Sequence, residues 1–105
     1  MRKVKLSLSY CGAEALCFML CQYCKFRKNN CRHDLERLLI ATGWIVAQKT
    51  QRRIELRFNK QKTFNYTIAE GYALKQIMLD LVMKDDLQES IRIYVLMHID
   101  KQLPR

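Results

Sequence analysis

The chain has 105 residues, half of them apolar and 28% charged, with three Gly and one Pro. That composition fits one globular domain and excludes a disordered chain, a low-complexity linker and a second core. Nineteen Lys and Arg against ten Asp and Glu leave a net charge of +9.

The excess charge is uneven. Residues 1–34 and 35–66 each carry a net +5, whereas residues 67–105 carry −1. Such asymmetry points to an acidic or polyanionic partner for one side of the molecule. The five Cys, at 11, 17, 21, 24 and 31, are an odd count. No signal-peptide cleavage pattern follows the apolar stretch after Lys5, which Glu14 interrupts, and no window suits a membrane span. The expectation is a protein of a reducing compartment, cytoplasm or nucleus, with no membrane partner.

Val4, Leu6 and Leu8 alternate with Lys3, Lys5, Ser7 and Ser9, the period of a half-buried strand with a basic outer face. The period then lengthens: Ala13, Leu16, Cys17, Leu20, Cys21 and Cys24 form a helical stripe. Lys25 to Asn30 breaks this stripe with charge and two Asn, and reads as a loop. Asn30 is placed to N-cap a second helix through Leu35, Leu38 and Leu39, with Gly43 as its left-handed C-terminal residue. Trp44 to Ala47 reads as a strand. Ile54, Leu56 and Phe58 alternate with Arg53, Glu55 and Arg57 in the next strand. Phe64, Tyr66 and Ile68 alternate with Thr63, Asn65 and Thr67 in a third, across a hairpin loop of Asn59 to Lys62.

Thr67-Ile68-Ala69-Glu70 matches a capping box. The helix behind it would bury Ala73, Leu74, Ile77, Met78 and Leu81, and Asp85-Asp86 would stop it. Ile91, Ile93, Val95, Met97 and Ile99 alternate with polar or mixed positions and read as a last strand, free to pair with the first. The expected fold is a single α+β domain over residues 1–105, in the order β-α-α-β-β-β-α-β, with a mostly antiparallel sheet.

The thiols admit two readings. Cys17, Cys21 and Cys24 share the stripe of Leu16 and Leu20, so the first is core packing. The alternative is a zinc set of Cys21, Cys24, Cys31 and His33, of the right ligand types but with irregular spacing. No nucleophile elbow, Walker loop or dinucleotide fingerprint is present, and the three Gly, at 12, 43 and 71, are too scattered for a phosphate-cradling loop. No catalytic residue and no cofactor is expected.

The basic residues fall into two groups. Lys25, Arg27, Lys28 and Arg32 surround Phe26 in the first; Lys49, Arg52, Arg53, Arg57, Lys60 and Lys62 surround the expected hairpin in the second. Arg and Lys beside Asn65 and Thr63 suit phosphate and 2′-hydroxyl contacts. Phe58, Phe64 and Tyr66 share the apolar phase and are expected in the core. The functional expectation is therefore a non-enzymatic protein that binds RNA or DNA through these ten residues. The alternative is an interaction module, an adaptor or inhibitor, that docks on an acidic protein or forms a homodimer through a sheet edge. A short, basic chain without a catalytic motif also suits an accessory protein of a virus or mobile element.

The expected α-β-β-β-α order over residues 31–83 resembles double-stranded-RNA-binding-domain-like folds. It is also similar to HicA-type toxins, in which a helix ending in Gly-Trp leads into the sheet, as Leu38-Leu39-Ile40-Ala41-Thr42-Gly43-Trp44 would here. The Gly-Ser-His stretch of those toxins is replaced by Gln51-Arg52-Arg53, so the resemblance implies a fold without ribonuclease chemistry.

Overall fold

The alternation at residues 3–9 and the helical stripe behind it are both present in a computed structural model of the chain, which describes residues 3–28, 33–55, 58–81 and 85–104. The elements are β1 (Val4–Leu8), α1 (Tyr10–Lys28), α2 (Asp34–Arg53), β2 (Lys62–Tyr66), α3 (Ile68–Asp80) and α4 (Asp86–Asp100). The class is α+β, but the order is β-α-α-β-α-α, with two strands among the described residues.

Ser9 separates β1 from α1, and its hydroxyl accepts the Gly12 amide at 3.1 Å, as an N-cap does. Ala13, Leu16, Cys17, Leu20 and Cys24 are buried along one face of α1. The helix does not stop at Cys24 but runs to Lys28, so Lys25, Arg27 and Lys28 belong to a helix and not to a loop. Cations are favoured in a last helical turn, where they face unpaired carbonyls, and here they extend the helix instead of breaking it. Asn30 lies outside the described residues; the residue at the N-cap of α2 is His33.

The largest departure is α2. A helix, a glycine stop and two strand starts were expected where one unbroken helix runs from Asp34 to Arg53. Ile40, Gly43, Val46, Ala47 and Thr50 bury a single face of it. Gly43 does not end the helix; it lets three elements approach. A Cβ there would lie 2.8 Å from Ile77 Cδ1 and 3.1 Å from Cys24 Sγ. The thiols of Cys17 and Cys24 face the carbonyls of Ala47 and Ile40, at 3.7 and 3.6 Å. The glycine expected to stop the helix thus lies in a seam between antiparallel helices. The strand expected at 53–58 is also lost: Arg53 ends α2, Ile54 is buried in the turn beyond, and Leu56 and Arg57 lie outside the described residues.

β2 pairs with β1 and not with a hairpin partner. The ladder is antiparallel, with Val4 opposite Tyr66, Leu6 opposite Phe64 and Leu8 opposite Lys62. Val4, Leu6, Leu8, Phe64 and Tyr66 face the core, while Lys5, Thr63 and Asn65 face outward. Without three consecutive strands over 44–68, the likeness to double-stranded-RNA-binding and HicA-type folds does not hold.

The capping box at Thr67 is formed as read: its hydroxyl accepts the Glu70 amide, and Glu70 accepts the Thr67 amide. Asp85 does not stop a helix; it starts one, accepting the amides of Leu87 and Gln88. The expected strand at 91–99 is α4. Ile91, Val95 and Ile99 satisfy both periods and are buried, whereas Ile93 and Met97, which only a strand would bury beside them, are exposed. Instead of pairing with β1, α4 closes its edge. The Gln102 side-chain amide accepts from the Lys5 N–H at 2.7 Å and donates to the Lys5 carbonyl at 2.6 Å. The Tyr94 hydroxyl donates to the Ser7 carbonyl at 2.7 Å. The sheet edge expected to recruit a partner on the β1 side is therefore occupied. Among the described residues no helix is long and apolar enough to cross a membrane.

Overpacking the seam tests this arrangement. Gly43→Val forces its side chain into Ile77 and Cys24 and is expected to destabilise the protein by about 1–3 kcal/mol in denaturant unfolding.

Candidate nucleic-acid interface

The α1–α2 hairpin decides where the expected basic residues stand. Cys17 lies beside Ala47 and Cys24 beside Ile40, so the C-terminal end of α1 meets the N-terminal end of α2. Lys25 and Arg27 are consequently at one end of the molecule and Arg52 and Arg53 at the other, roughly 20 Å apart at the rise of an α-helix. The described members of the two groups do not form one surface.

At the first end, Lys25 is exposed. Arg27 lies over the Tyr23 ring, 5.6 Å from its centroid, in a cleft that also holds Glu36 and Asp80. The Tyr23 hydroxyl donates to Asp80 at 2.9 Å, and burial followed by that carboxylate pushes its pKa up to about 12. This end mixes charges of both signs. The side chains of Lys28 and Arg32 lie outside the described residues.

The second end is more uniformly basic. Arg52 and Arg53 close α2, and Lys60 and Lys62 follow in the turn and at the start of β2. Lys62 donates to the Arg53 carbonyl at 3.1 Å, satisfying a terminal carbonyl of α2. The cations also cover rings. Arg53 lies 5.4 Å from the centroid of Phe64, and Lys62 lies 5.3 Å from that of Phe58. Phe58 in turn meets Tyr10 edge-on at 5.5 Å and Phe64 at 6.5 Å. Arg52, Arg53 and Lys60 are exposed, with Glu55 the exposed acid nearest them in sequence. Arg57 lies outside the described residues.

Phe64 is core, as expected, but Phe58 is only half-buried and belongs to the basic end. Tyr10 had no local signal for such a role, because it reaches Phe58 from 48 residues away. Lys5 was also missed: with Thr63 and Asn65 it extends a polar outer sheet face that the β1–β2 pairing creates.

Lys49 serves the fold. It donates to Glu70 Oε1 at 2.8 Å, the same oxygen that accepts the Thr67 amide. Burial alone would raise the Glu70 carboxyl, but the bonds from Lys49 and Thr67 outweigh it and hold the group below its ordinary 4.5. Beside it, Thr50 donates to the Val46 carbonyl at 2.9 Å, so the 2.6 Å contact with Tyr66 is made with the tyrosine proton. These two contacts tie α2 to β2 and α3.

The alternative zinc set lies partly outside the described residues. Cys24 points into the α1–α2 seam, Cys31 lies outside the described residues, and His33 is exposed at the start of α2. Among the described residues no three His, Cys, Asp or Glu side chains stand close enough to hold a metal ion. Burial pushes the Cys17 thiol up to about 12 and the Cys24 thiol up to about 11, with Cys21 adding to both, so both are held protonated.

Comparison with known protein families, curated proteins and solved structures finds no match to this chain.

Two measurements follow. Thiol alkylation of the native protein is expected to modify the exposed Cys11 while Cys17 and Cys24 stay unlabelled until the chain is unfolded; mass mapping of the labelled peptides reads this directly. Glu70 binds its proton less readily folded than unfolded, so its stabilisation is complete above pH 4.5 and is lost as pH falls through the depressed folded value. Glu70→Gln should therefore cost about 1–2 kcal/mol at neutral pH and flatten the acid limb of the stability curve below that point.

Proposed function

We propose that this protein binds nucleic acid, without catalysis, through the basic end formed by Arg52, Arg53, Lys60 and Lys62. The observation that carries the reading is the stacking of Lys62 over the half-buried Phe58, which meets Tyr10, and of Arg53 over the adjoining Phe64, with Arg52 and Lys60 exposed close by in sequence, in a chain of net charge +9. Guanidinium and ammonium groups supply phosphate contacts, and each contact releases a condensed counterion. Partly exposed rings beside them favour unstacked bases, so single strands are the preferred class over duplexes. Lys5, Thr63 and Asn65 on the outer sheet face offer hydrogen bonds that continue the surface. The other end, where Arg27 shares its cleft with Glu36 and Asp80, suits a polyanion less well.

The alternative of an acidic protein partner uses the same cations, and salt alone does not separate the two. Probe preference does. Fluorescence anisotropy of labelled single-stranded RNA, duplex RNA and duplex DNA, at low and at physiological salt, is expected to show a steep loss of affinity with salt and a preference for the single strand. Arg52→Glu with Lys60→Glu should weaken binding at least tenfold and lower the salt slope by about 2, one for each phosphate contact removed. Lys25→Glu, at the opposite end, should change affinity less than twofold. Equal losses from both changes would show that the α2 end is not the site, and no binding at low salt would overturn the reading.

A further inference from the structure

α4 is apolar on two sides. Ile91, Val95 and Ile99 face the core. Directly opposite them, at about 100° per residue, Asp86, Ser90, Ile93, Met97 and Lys101 form an outward stripe. A surface helix normally turns polar residues to this side. Here Ile93 is 46% and Met97, one turn on, 54% exposed, and Leu79 of α3, 55% exposed, stands beside Met97. Leu79 and Met97 line a groove with Leu96, closed at one end by the 2.7 Å ion pair of Lys75 with Asp100. Three large apolar side chains thus form one outward patch on two adjacent helices.

The ends of the stripe say what covers it. Asp86 opens α4 and is exposed; Lys101 follows the last turn and is exposed. The apolar residues lie between them. A face with acid at one end, base at the other and an apolar middle is complementary to itself under a two-fold rotation. We propose that this face pairs with a second copy of the chain, the two α4 helices crossing antiparallel near Ile93. Asp86 of each copy then meets Lys101 of the other, about 22 Å away along the helix, and the two helix dipoles oppose. The interface lies across the bundle from α2, because α2 packs on α1 and α3 while α4 packs on α3 and α1. It does not depend on the nucleic-acid reading. It replaces the sheet-edge dimer, whose β1 edge Gln102 and Tyr94 occupy.

Sedimentation equilibrium of nucleic-acid-free protein, from micromolar to submillimolar concentration, tests it. The expected mass rises with concentration from 12.6 kDa toward twice that value. Met97→Glu should hold the protein monomeric, with a thermal melt equal to that of the parent at micromolar concentration, where the parent is itself monomeric. Asp86→Lys should raise the dimer dissociation constant about three- to tenfold, since the two-fold axis counts the change twice. Asp86→Lys with Lys101→Asp should restore it, a rescue that only an antiparallel pairing of α4 predicts. A monomer at every concentration overturns the proposal and leaves the face to a different partner. A dimer that survives Met97→Glu, or a charge swap that fails to rescue, overturns it as well.

Discussion

The close contact between α1 and α2 is the constraint on which the rest of the structure depends. Two long helices can approach closely only where side chains are small, and here Cys17 and Cys24 meet Ala47, Ile40 and Gly43. The thiols behave as small apolar groups whose protons turn to helix carbonyls, a role that their raised pKa values preserve. Because the seam runs past Gly43 to Thr50, residues 44–53 remain helical, although several of them carry good strand propensity. That continuity carries Arg52 and Arg53 to the end of the molecule where Phe58 and Lys62 wait. A helix that stopped at Gly43 would have scattered them.

Polar contacts then fix how the remaining elements sit on this hairpin. Glu70 gathers the Thr67 amide and Lys49 on one oxygen and is largely shielded from water. Thr50 and Tyr66 share a proton chain that ends on a helix carbonyl. Gln102 acts as a one-residue strand partner for Lys5. The contacts of Glu70 and Thr50 satisfy groups that burial would otherwise penalise by about 1–3 kcal/mol, which makes them more consequential than the exposed ion pair of Lys75 with Asp100. A close approach at a second glycine completes the closure: a Cβ on Gly71 would lie 2.9 Å from Val4 and 3.0 Å from Leu103, so α3 can rest against both β1 and the chain end.

The outcome is a small protein with two unlike surfaces. One end sets Arg53 and Lys62 over the rings of Phe64 and Phe58, with Arg52 and Lys60 exposed. Across the bundle, α4 and α3 present apolar side chains flanked by one acid and one base. Because the helices separate these surfaces, the proposed ligand site and the proposed self-association face do not compete for the same residues. The charge asymmetry along the chain has the same origin in space: its acidic third supplies α3 and α4, and its basic thirds supply β1, α1, α2 and β2.

Local chemistry alone determined the parts whose signals had one solution. The alternation Val4-Leu6-Leu8, the stripe of α1 and the capping box at Thr67 were legible because each needs only its own neighbours. The α+β class and the basic character of residues 49–62 were legible for the same reason. Tertiary contact decided the parts whose patterns had two. Ile91, Val95 and Ile99 fit a strand and a helix equally, and packing against β1 and α3 chose the helix. Gly43 fits a helix stop and a helix crossing, and Ile77 and Cys24 chose the crossing. Tyr10 joined the basic end, and Lys25 and Arg27 left it, because the antiparallel hairpin brings residue 10 to residue 58 and sends residue 25 to the far end. Periodicity is a property of neighbouring residues; which of two allowed faces is buried, and which distant side chains meet there, depends on the surfaces that the rest of the chain supplies.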